Sequence, residues 1–163
     1  MDADLTPVEV VGLGIRSEED AAEFYGTIAK MIKNDLVKAK FESLAREEVG
    51  HKQVLSALYK RMTGESAPPK IPGSPNTAEG GGIPVGVDNI EGLLELAISR
   101  EHSANMFYRD AAKKAKDNNG KRTLEYLAGI EHGHEVMLKE ELKAYLNDKD
   151  WYSNNPDIQL VGP

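Results

Sequence analysis

Apolar residues recur at helical spacing through most of this 163-residue chain. The clearest stripe, with a period near 3.6 residues, consists of Phe41, Leu44, Glu48, His51, Leu55 and Leu58. The pattern predicts four long helices, spanning about residues 7–33, 35–63, 89–117 and 121–147. We therefore expect an all-α protein that forms a single domain over residues 1–163.

The ends of the predicted helices carry clear local signals. Thr6-Pro7-Val8-Glu9 is typical of a helix start, with a capping threonine, a proline in the first turn and a glutamate that completes a capping box. Residues 64–88 contain five prolines and three consecutive glycines, which exclude a helix. This segment predicts a long crossover loop along a four-helix bundle. Residues 148–163 are predicted to be a C-terminal tail, in which Trp151 anchors the tail or contacts another subunit.

The chain also contains an internal repeat with an offset of 83 residues. Residues 13–60 and 96–143 align without a gap and share 18 identical positions. Each copy would be a hairpin of two helices, which cannot bury its apolar face alone. The sequence therefore predicts two repeated hairpins packed against each other, with a pseudo-twofold axis between them.

The repeat also duplicates a set of residues that can bind metal. Each copy has one Glu-x-x-His motif, and a further glutamate lies 30 residues upstream of it. Positions i and i+3 share one face of a helix, so each motif directs a carboxylate and an imidazole to the same place. The six residues are Glu18, Glu48, His51, Glu101, Glu131 and His134. This is the ligand pattern of di-iron and di-manganese carboxylate bundles.

Charge and coordination chemistry both suit this set to two metal ions. Four glutamates balance two divalent ions, so the reduced site would be neutral in a water-poor interior. One histidine per ion leaves coordination positions open for a small oxidant. Glu48 and Glu131 are predicted to bridge the ions, because they lie on the motif helices. For any one of these residues, the alternative is a place in a solvated or ion-paired stripe. Six such residues in register on otherwise apolar helix faces do not fit that alternative.

Two pairs of repeated residues accompany the predicted ligands. Tyr25 and Tyr108 each lie seven residues after a ligand glutamate, where a hydroxyl could bond to a metal-binding carboxylate. The alternative is a core tyrosine whose hydroxyl bonds to backbone. Gly50 and Gly133 occur within helices, just before each motif histidine. Close approach of helices beside the metal would explain these glycines, and so would shared ancestry of the two halves.

Composition excludes several classes of function. The net charge is −7, without any run of lysine and arginine, so nucleic acid is not an expected partner. The chain has no cysteine, which removes disulfides, thiol catalysis and iron–sulfur ligation. There is neither a stretch of about 20 apolar residues nor an N-terminal secretory signal pattern. We therefore expect no membrane association and a cytoplasmic location.

The sequence resembles the rubrerythrin group of the ferritin-like superfamily over the helical residues 7–147. The segments that carry the resemblance are Glu18-x6-Tyr25, Ala45-x-x-Glu48-x-x-His51 and Glu101-x5-Phe107-Tyr108. The resemblance implies a ferritin-like four-helix bundle with the six residues above as iron ligands. It also implies that ferrous iron reduces peroxide or dioxygen. Rubrerythrins proper carry a cysteine-ligated iron domain and an additional carboxylate ligand on the third helix, whereas residues 102–107 contain no acid.

The leading functional expectation is therefore an oxidoreductase with two iron ions, with manganese or zinc as alternative occupants. Hydrogen peroxide or dioxygen would be the substrate, and an external donor would supply electrons because the chain has no cysteine. The alternatives are iron binding with ferroxidase-type handling, and a structural bundle that metal stabilises. A homodimer is expected, in which the crossover could allow hairpins to exchange between chains.

Overall fold

The computed structural model describes residues 5–66, 82–84 and 86–154 of the chain. These residues form helices and contain no strand, which confirms the predicted all-α class. The helices are α1 Pro7–Met31, α2 Asp35–Thr63, α3 Ile90–Lys114, α4 Asn118–Asn147 and α5 Lys149–Ser153. The first four pack as two antiparallel hairpins, α1 with α2 and α3 with α4.

A side-chain cap begins each of the four long helices. Thr6 and Glu9 form a reciprocal capping box, in which the Thr6 amide donates to the Glu9 carboxylate over 2.8 Å. Asn34 and Asn89 accept backbone N–H groups at the starts of α2 and α3. Such caps satisfy amides that have no partner within the helix.

The turn between α3 and α4 lies earlier than the sequence predicts. We expected the third helix to reach residue 117 and the fourth to begin near residue 121. Instead, α3 ends at Lys114 and α4 begins at Asn118. The reason is the carboxylate of Asp117, which accepts a hydrogen bond of 2.8 Å from the Gly120 amide and caps the new helix there.

Two apolar clusters fill the bundle, one towards each end. The first cluster includes Phe24, Ile28, Phe41, Leu44, Leu94 and Leu138. The second includes Val11, Ile15, Leu55, Leu58, Leu124 and Leu127. Both clusters take residues from the two hairpins, so neither hairpin buries its apolar face without the other. On α2 and α4, the buried glutamate and histidine of each motif lie between residues of the first cluster and residues of the second.

The predicted C-terminal tail is partly helical. Residues 149–153 form α5, and Tyr152 is fully buried against the end of the first apolar cluster. Its hydroxyl donates to Glu141 over 3.0 Å, and the Asn34 side chain donates to the Trp151 carbonyl over 2.6 Å. Trp151 is 41% exposed, so Tyr152 anchors this segment in place of the tryptophan, whose alternative role as a contact with another subunit stays a prediction.

The structure contradicts close helix approach at the two repeated glycines. A Cβ atom added at Gly50 or Gly133 would meet no neighbouring atom within 4 Å. The close approach occurs instead at Gly14, where a Cβ atom would lie 3.0 Å from Leu55 and 3.3 Å from Tyr108. Packing therefore explains Gly14, whereas shared ancestry remains the account of the motif glycines.

Most of the predicted crossover loop lies outside the described residues, as does the chain after residue 154. The exchange of hairpins between chains depends on that crossover, so it stays a prediction together with the homodimer. Among the helices that the structure describes, none has the length and apolar character needed to cross a lipid bilayer.

These glycine environments predict opposite effects of alanine substitution on stability. Gly50→Ala and Gly133→Ala should each raise the free energy of unfolding by about 0.5–1 kcal/mol. Alanine reduces the conformational freedom of the unfolded chain, and in the folded protein its Cβ atom meets open space. Gly14→Ala should lower it by about 1–3 kcal/mol through overpacking against Tyr108. Urea unfolding of metal-free protein measures all three, and stabilisation by Gly14→Ala would contradict the packing at that position.

Candidate metal centre

All six residues predicted to bind metal converge in the middle of the bundle, and all are buried. They come from four helices: Glu18 from α1, Glu48 and His51 from α2, Glu101 from α3, and Glu131 and His134 from α4. The i, i+3 spacing places each motif glutamate and histidine on the same inward face. The site therefore needs both hairpins.

Two groups of four residues can each surround one ion. Their potential ligand atoms lie within 4.8 Å of one another. The first group is Glu18, Glu48, His51 and Glu131, and the second is Glu48, Glu101, Glu131 and His134. Glu48 and Glu131 belong to both groups. This is the arrangement in which these two carboxylates would bridge a pair of ions.

Both imidazoles direct the same nitrogen inward. Nδ1 of His51 lies 3.1 Å from Glu48 and 3.0 Å from Glu131, each measured to a carboxylate oxygen. Nδ1 of His134 lies 3.2 Å from the other oxygen of Glu48. The two rings stack with their centroids 5.7 Å apart and an interplanar angle of 19°. The histidines thus form the wall of the site on the side of α2 and α4.

The two tyrosines bond to ligand carboxylates of the opposite hairpin. The Tyr25 hydroxyl on α1 donates to Glu101 on α3, and the Tyr108 hydroxyl on α3 donates to Glu18 on α1. Burial and the nearby negative charge raise the pKa of both hydroxyls well above the usual range. Both tyrosines therefore remain protonated donors, and their exchanged bonds tie the hairpins together at the site.

The four glutamates divide into two whose pKa is raised and two whose pKa is lowered. Burial, followed by hydrogen bonding to Glu48 and Glu131 respectively, raises the pKa of Glu18 and of Glu101 well above the usual range. Burial also opposes ionisation of Glu48 and Glu131. Close contacts with the two histidines, and with Glu18 for Glu48 and Glu101 for Glu131, outweigh it and hold the pKa of each below the usual value.

The histidines complete the charge balance of the polypeptide. Burial alone would lower the pKa of His51, but contacts with Glu131, Glu18 and Glu48 raise it to about 12. The carboxylates around His134 likewise raise its pKa well above the usual value. In the absence of metal, the histidines thus favour their charged form beside carboxylates that also favour theirs.

Several atoms of the cluster have geometry better suited to an ion than to hydrogen bonding. Within the described part of the chain, these buried atoms make no hydrogen bond of acceptable geometry: Glu48 Oε1, Glu101 Oε2, Glu131 Oε1 and His134 Nδ1. They include an atom from each of the shared carboxylates and the inward nitrogen of one histidine. Carboxylate oxygen and imidazole nitrogen are common ligands of first-row transition metals. The residues therefore fit two such ions.

A small cavity adjoins the carboxylates on the side opposite the histidines. Its wall consists of Ser17, Glu18, Ala21, Phe24, Tyr25, Glu48, Arg100, Glu101, Ala104 and Glu131. Most of these residues come from α1 and α3, so the cavity reaches the cluster between those helices. A small molecule in it would meet the carboxylate side of the centre.

Sequence reasoning missed two residues beside the centre. Arg100 lies in the cavity wall, with its guanidinium 3.9 Å from the Phe24 ring centroid and donating to the Gly82 carbonyl over 3.1 Å. Glu47 lies on α2 with a carboxylate oxygen 3.0 Å from Nε2 of His134. Neither residue has an identical counterpart in the repeat, which was the signal that revealed the others.

Comparison with known proteins identifies related sequences over most of the chain. The sequence model of the family described as Rubrerythrin matches residues 9–142, and also residues 92–157. YhjR, an uncharacterized protein of Bacillus subtilis (strain 168), is 29% identical over 124 residues, which are 76% of this chain and 78% of that protein.

Solved structures show the same fold. A hypothetical protein from Pyrococcus furiosus has a TM-score of 0.74 and 29% identity, covering 90% of this chain and 94% of the other. A mycobacterial bacterioferritin has a TM-score of 0.74 and 16% identity, covering 94% and 93%. A bacterioferritin-related protein from Bacteroides fragilis, described as a dodecameric thioferritin, has a TM-score of 0.69 and 19% identity, covering 90% and 89%. These similarities confirm the ferritin-like four-helix bundle.

The protonation of the cluster predicts that metal binding releases protons. The pKa of both histidines is raised by the surrounding carboxylates, and burial raises the pKa of Glu18 and Glu101, so bound metal must displace protons from these groups. Binding of two divalent ions should release two protons or more, and metal affinity should fall as the pH is lowered. Calorimetric titration in buffers of different ionisation enthalpy measures the number, and release of fewer than two would contradict this protonation pattern.

Proposed function

The chain belongs to the rubrerythrin family, and on that premise we propose that it is a di-iron carboxylate oxidoreductase. It would reduce hydrogen peroxide or dioxygen with electrons from an external donor. The observation that carries the proposal is the pair of four-residue groups that share Glu48 and Glu131. The cavity on their carboxylate side supports the proposal, because a small oxidant that entered it would meet these glutamates.

The proposed ligands are the six residues of the two groups. Glu18 and His51 would hold one ion, Glu101 and His134 would hold the other, and the two shared glutamates would bridge them. When bound, two ferrous ions supply the two electrons that reduce hydrogen peroxide to two water molecules. That conversion breaks the O–O bond and consumes two protons.

The polypeptide provides position, charge balance and protection from bulk water. Both apolar clusters lie against the site and keep it water-poor, which strengthens electrostatic interactions within it. The hydroxyls of Tyr25 and Tyr108 hold the two terminal carboxylates, Glu101 and Glu18, in place from the opposite hairpin.

Iron handling is the alternative function. The fold is shared with a bacterioferritin and a protein described as a thioferritin, and the bundle geometry is compatible with oxidation of iron as cargo. In that case ferrous iron would be the substrate and ferric iron would leave the site. The third candidate function is structural, with bound metal that only stabilises the bundle. An experiment must distinguish it from the other two.

Rapid mixing of anaerobic protein loaded with ferrous iron distinguishes these functions. The proposal predicts about two irons per chain and fast ferric absorbance on adding stoichiometric peroxide. It also predicts that the iron is retained and can be reduced again over several cycles. The double variant His51→Ala/His134→Ala should lose this iron. Release of ferric iron, or uptake well beyond two per chain, would support iron handling, and inert metal would support a structural role.

The exchanged tyrosine bonds predict a second, specific effect. Tyr25→Phe and Tyr108→Phe should each slow oxidation by about 10-fold or more while iron content stays near the normal value, because the terminal carboxylates lose their orienting donors. Tyr152→Phe is a matched control, since it removes a buried tyrosine–glutamate bond away from the site. Stopped-flow rates of all three test the effect, and equal slowing by Tyr152→Phe would contradict it.

A further inference from the structure

The outward nitrogen of His134 is bonded to a residue of the opposite hairpin. Nε2 lies 3.0 Å from a carboxylate oxygen of Glu47 on α2, while Nδ1 faces the cluster. The other carboxylate oxygen of Glu47 accepts a hydrogen bond of 3.4 Å from the Ser43 hydroxyl one turn earlier. Glu47 is therefore oriented on its own helix and holds an imidazole that α4 supplies.

The repeat shows that this contact breaks the symmetry of the centre. The offset of 83 residues that pairs His51 with His134 pairs Glu47 with Ile130. Ile130 is a half-buried residue whose side chain has no atom that can accept a hydrogen bond. Position 130 therefore offers His51 no carboxylate equivalent to Glu47, which holds the ring of His134.

We propose that Glu47 is a positioning residue that makes the two metal positions unequal. A bond from Nε2–H of His134 to Glu47 leaves Nδ1 as the nitrogen that binds metal, and it restricts rotation of the ring. The position formed by Glu48, Glu101, Glu131 and His134 would then bind its ion first and more tightly. The proposal rests on the dinuclear centre of the proposed function, but not on its reaction with an oxidant.

The location of Glu47 suits this role better than that of a direct ligand. It precedes Glu48 by one residue, so its side chain lies on a different face of α2 and is 50% exposed at the rim of the site. The His134 side chain beneath it is only 8% exposed. A carboxylate that bonds to the far nitrogen of a metal-binding histidine typically changes metal affinity by about 10- to 100-fold.

One physical consequence is an ordered filling of the centre. When metal is limiting, chains with a single ion would predominate, and that ion would lie beside His134. The position beside His51 would fill only at higher metal concentration. The two positions would also respond differently to removal of metal by a chelator, with the ion beside His51 leaving first.

The repeat supplies matched variants for a test. Glu47→Ile removes the carboxylate and copies the residue of the other half, whereas Ile130→Glu introduces a carboxylate at the equivalent position. Cobalt(II) is a suitable probe, because its visible absorption reports each coordination environment without oxidation by air. Calorimetry and absorbance titration of the full chain then give the affinities of the two binding steps separately.

For the unmodified protein we expect two steps, with the first about 10- to 100-fold tighter than the second. Glu47→Ile should weaken the first step by that factor, so that the two steps merge, and should leave the second within about threefold. Glu47→Gln, which retains an oxygen acceptor, should recover part of the loss. The double variant Glu47→Ile/Ile130→Glu should restore two separate steps with the tight position moved to His51.

The location of the first ion gives an independent readout. In protein loaded with one equivalent of cobalt, the exchangeable ring proton of His134 should give a strongly shifted proton NMR signal, and Glu47→Ile should abolish or broaden it. Equal affinities in the unmodified protein, or equal weakening of both steps by Glu47→Ile, would overturn the proposal. Failure of the unmodified protein to bind two ions would overturn the dinuclear centre itself, so the two failures are distinguishable.

Discussion

The whole structure depends on keeping six ionisable side chains buried at the centre of an apolar bundle. An isolated charge in such surroundings is costly, so each of these groups needs a partner or a proton. The directions of the pKa shifts follow this requirement: the pKa is raised for Glu18, Glu101 and both histidines and lowered for Glu48 and Glu131. Two divalent ions could take the place of the protons, because their combined charge of +4 balances four carboxylates.

This constraint explains why the two hairpins cannot be separated. Tyr25 and Tyr108 donate across the interface, and each histidine contacts a glutamate of the opposite hairpin. Removing one hairpin would expose an apolar face and also leave buried carboxylates without donors. Polar bonding at the centre and apolar packing on either side of it thus hold the same interface together.

Much of this arrangement could be predicted because it repeats along the sequence. Helical spacing and the 83-residue offset indicated the bundle, the six residues that meet in it and the two tyrosines. The sequence could not show that each tyrosine bonds to the opposite hairpin, since that depends on how the hairpins pack. Helix starts such as Asp117 were misplaced because the three residues that follow it also resemble a helix end. The anchor Tyr152 was missed because five helical residues give too short a pattern to recognise.

The residues beside the centre that sequence reasoning missed lie where the two halves of the repeat differ. A symmetric set of ligands could hold two ions, and that requirement does not determine the residues around the ligands. The two halves differ there: Glu47 aligns with Ile130 in the repeat, and Arg100 aligns with Ser17. Glu47 contacts His134, whereas Ser17 and Arg100 line the cavity, so the two halves differ on both sides of the centre. The repeat thus accounts for the six residues that meet at the centre, and the departures from it account for the different surroundings of its two halves.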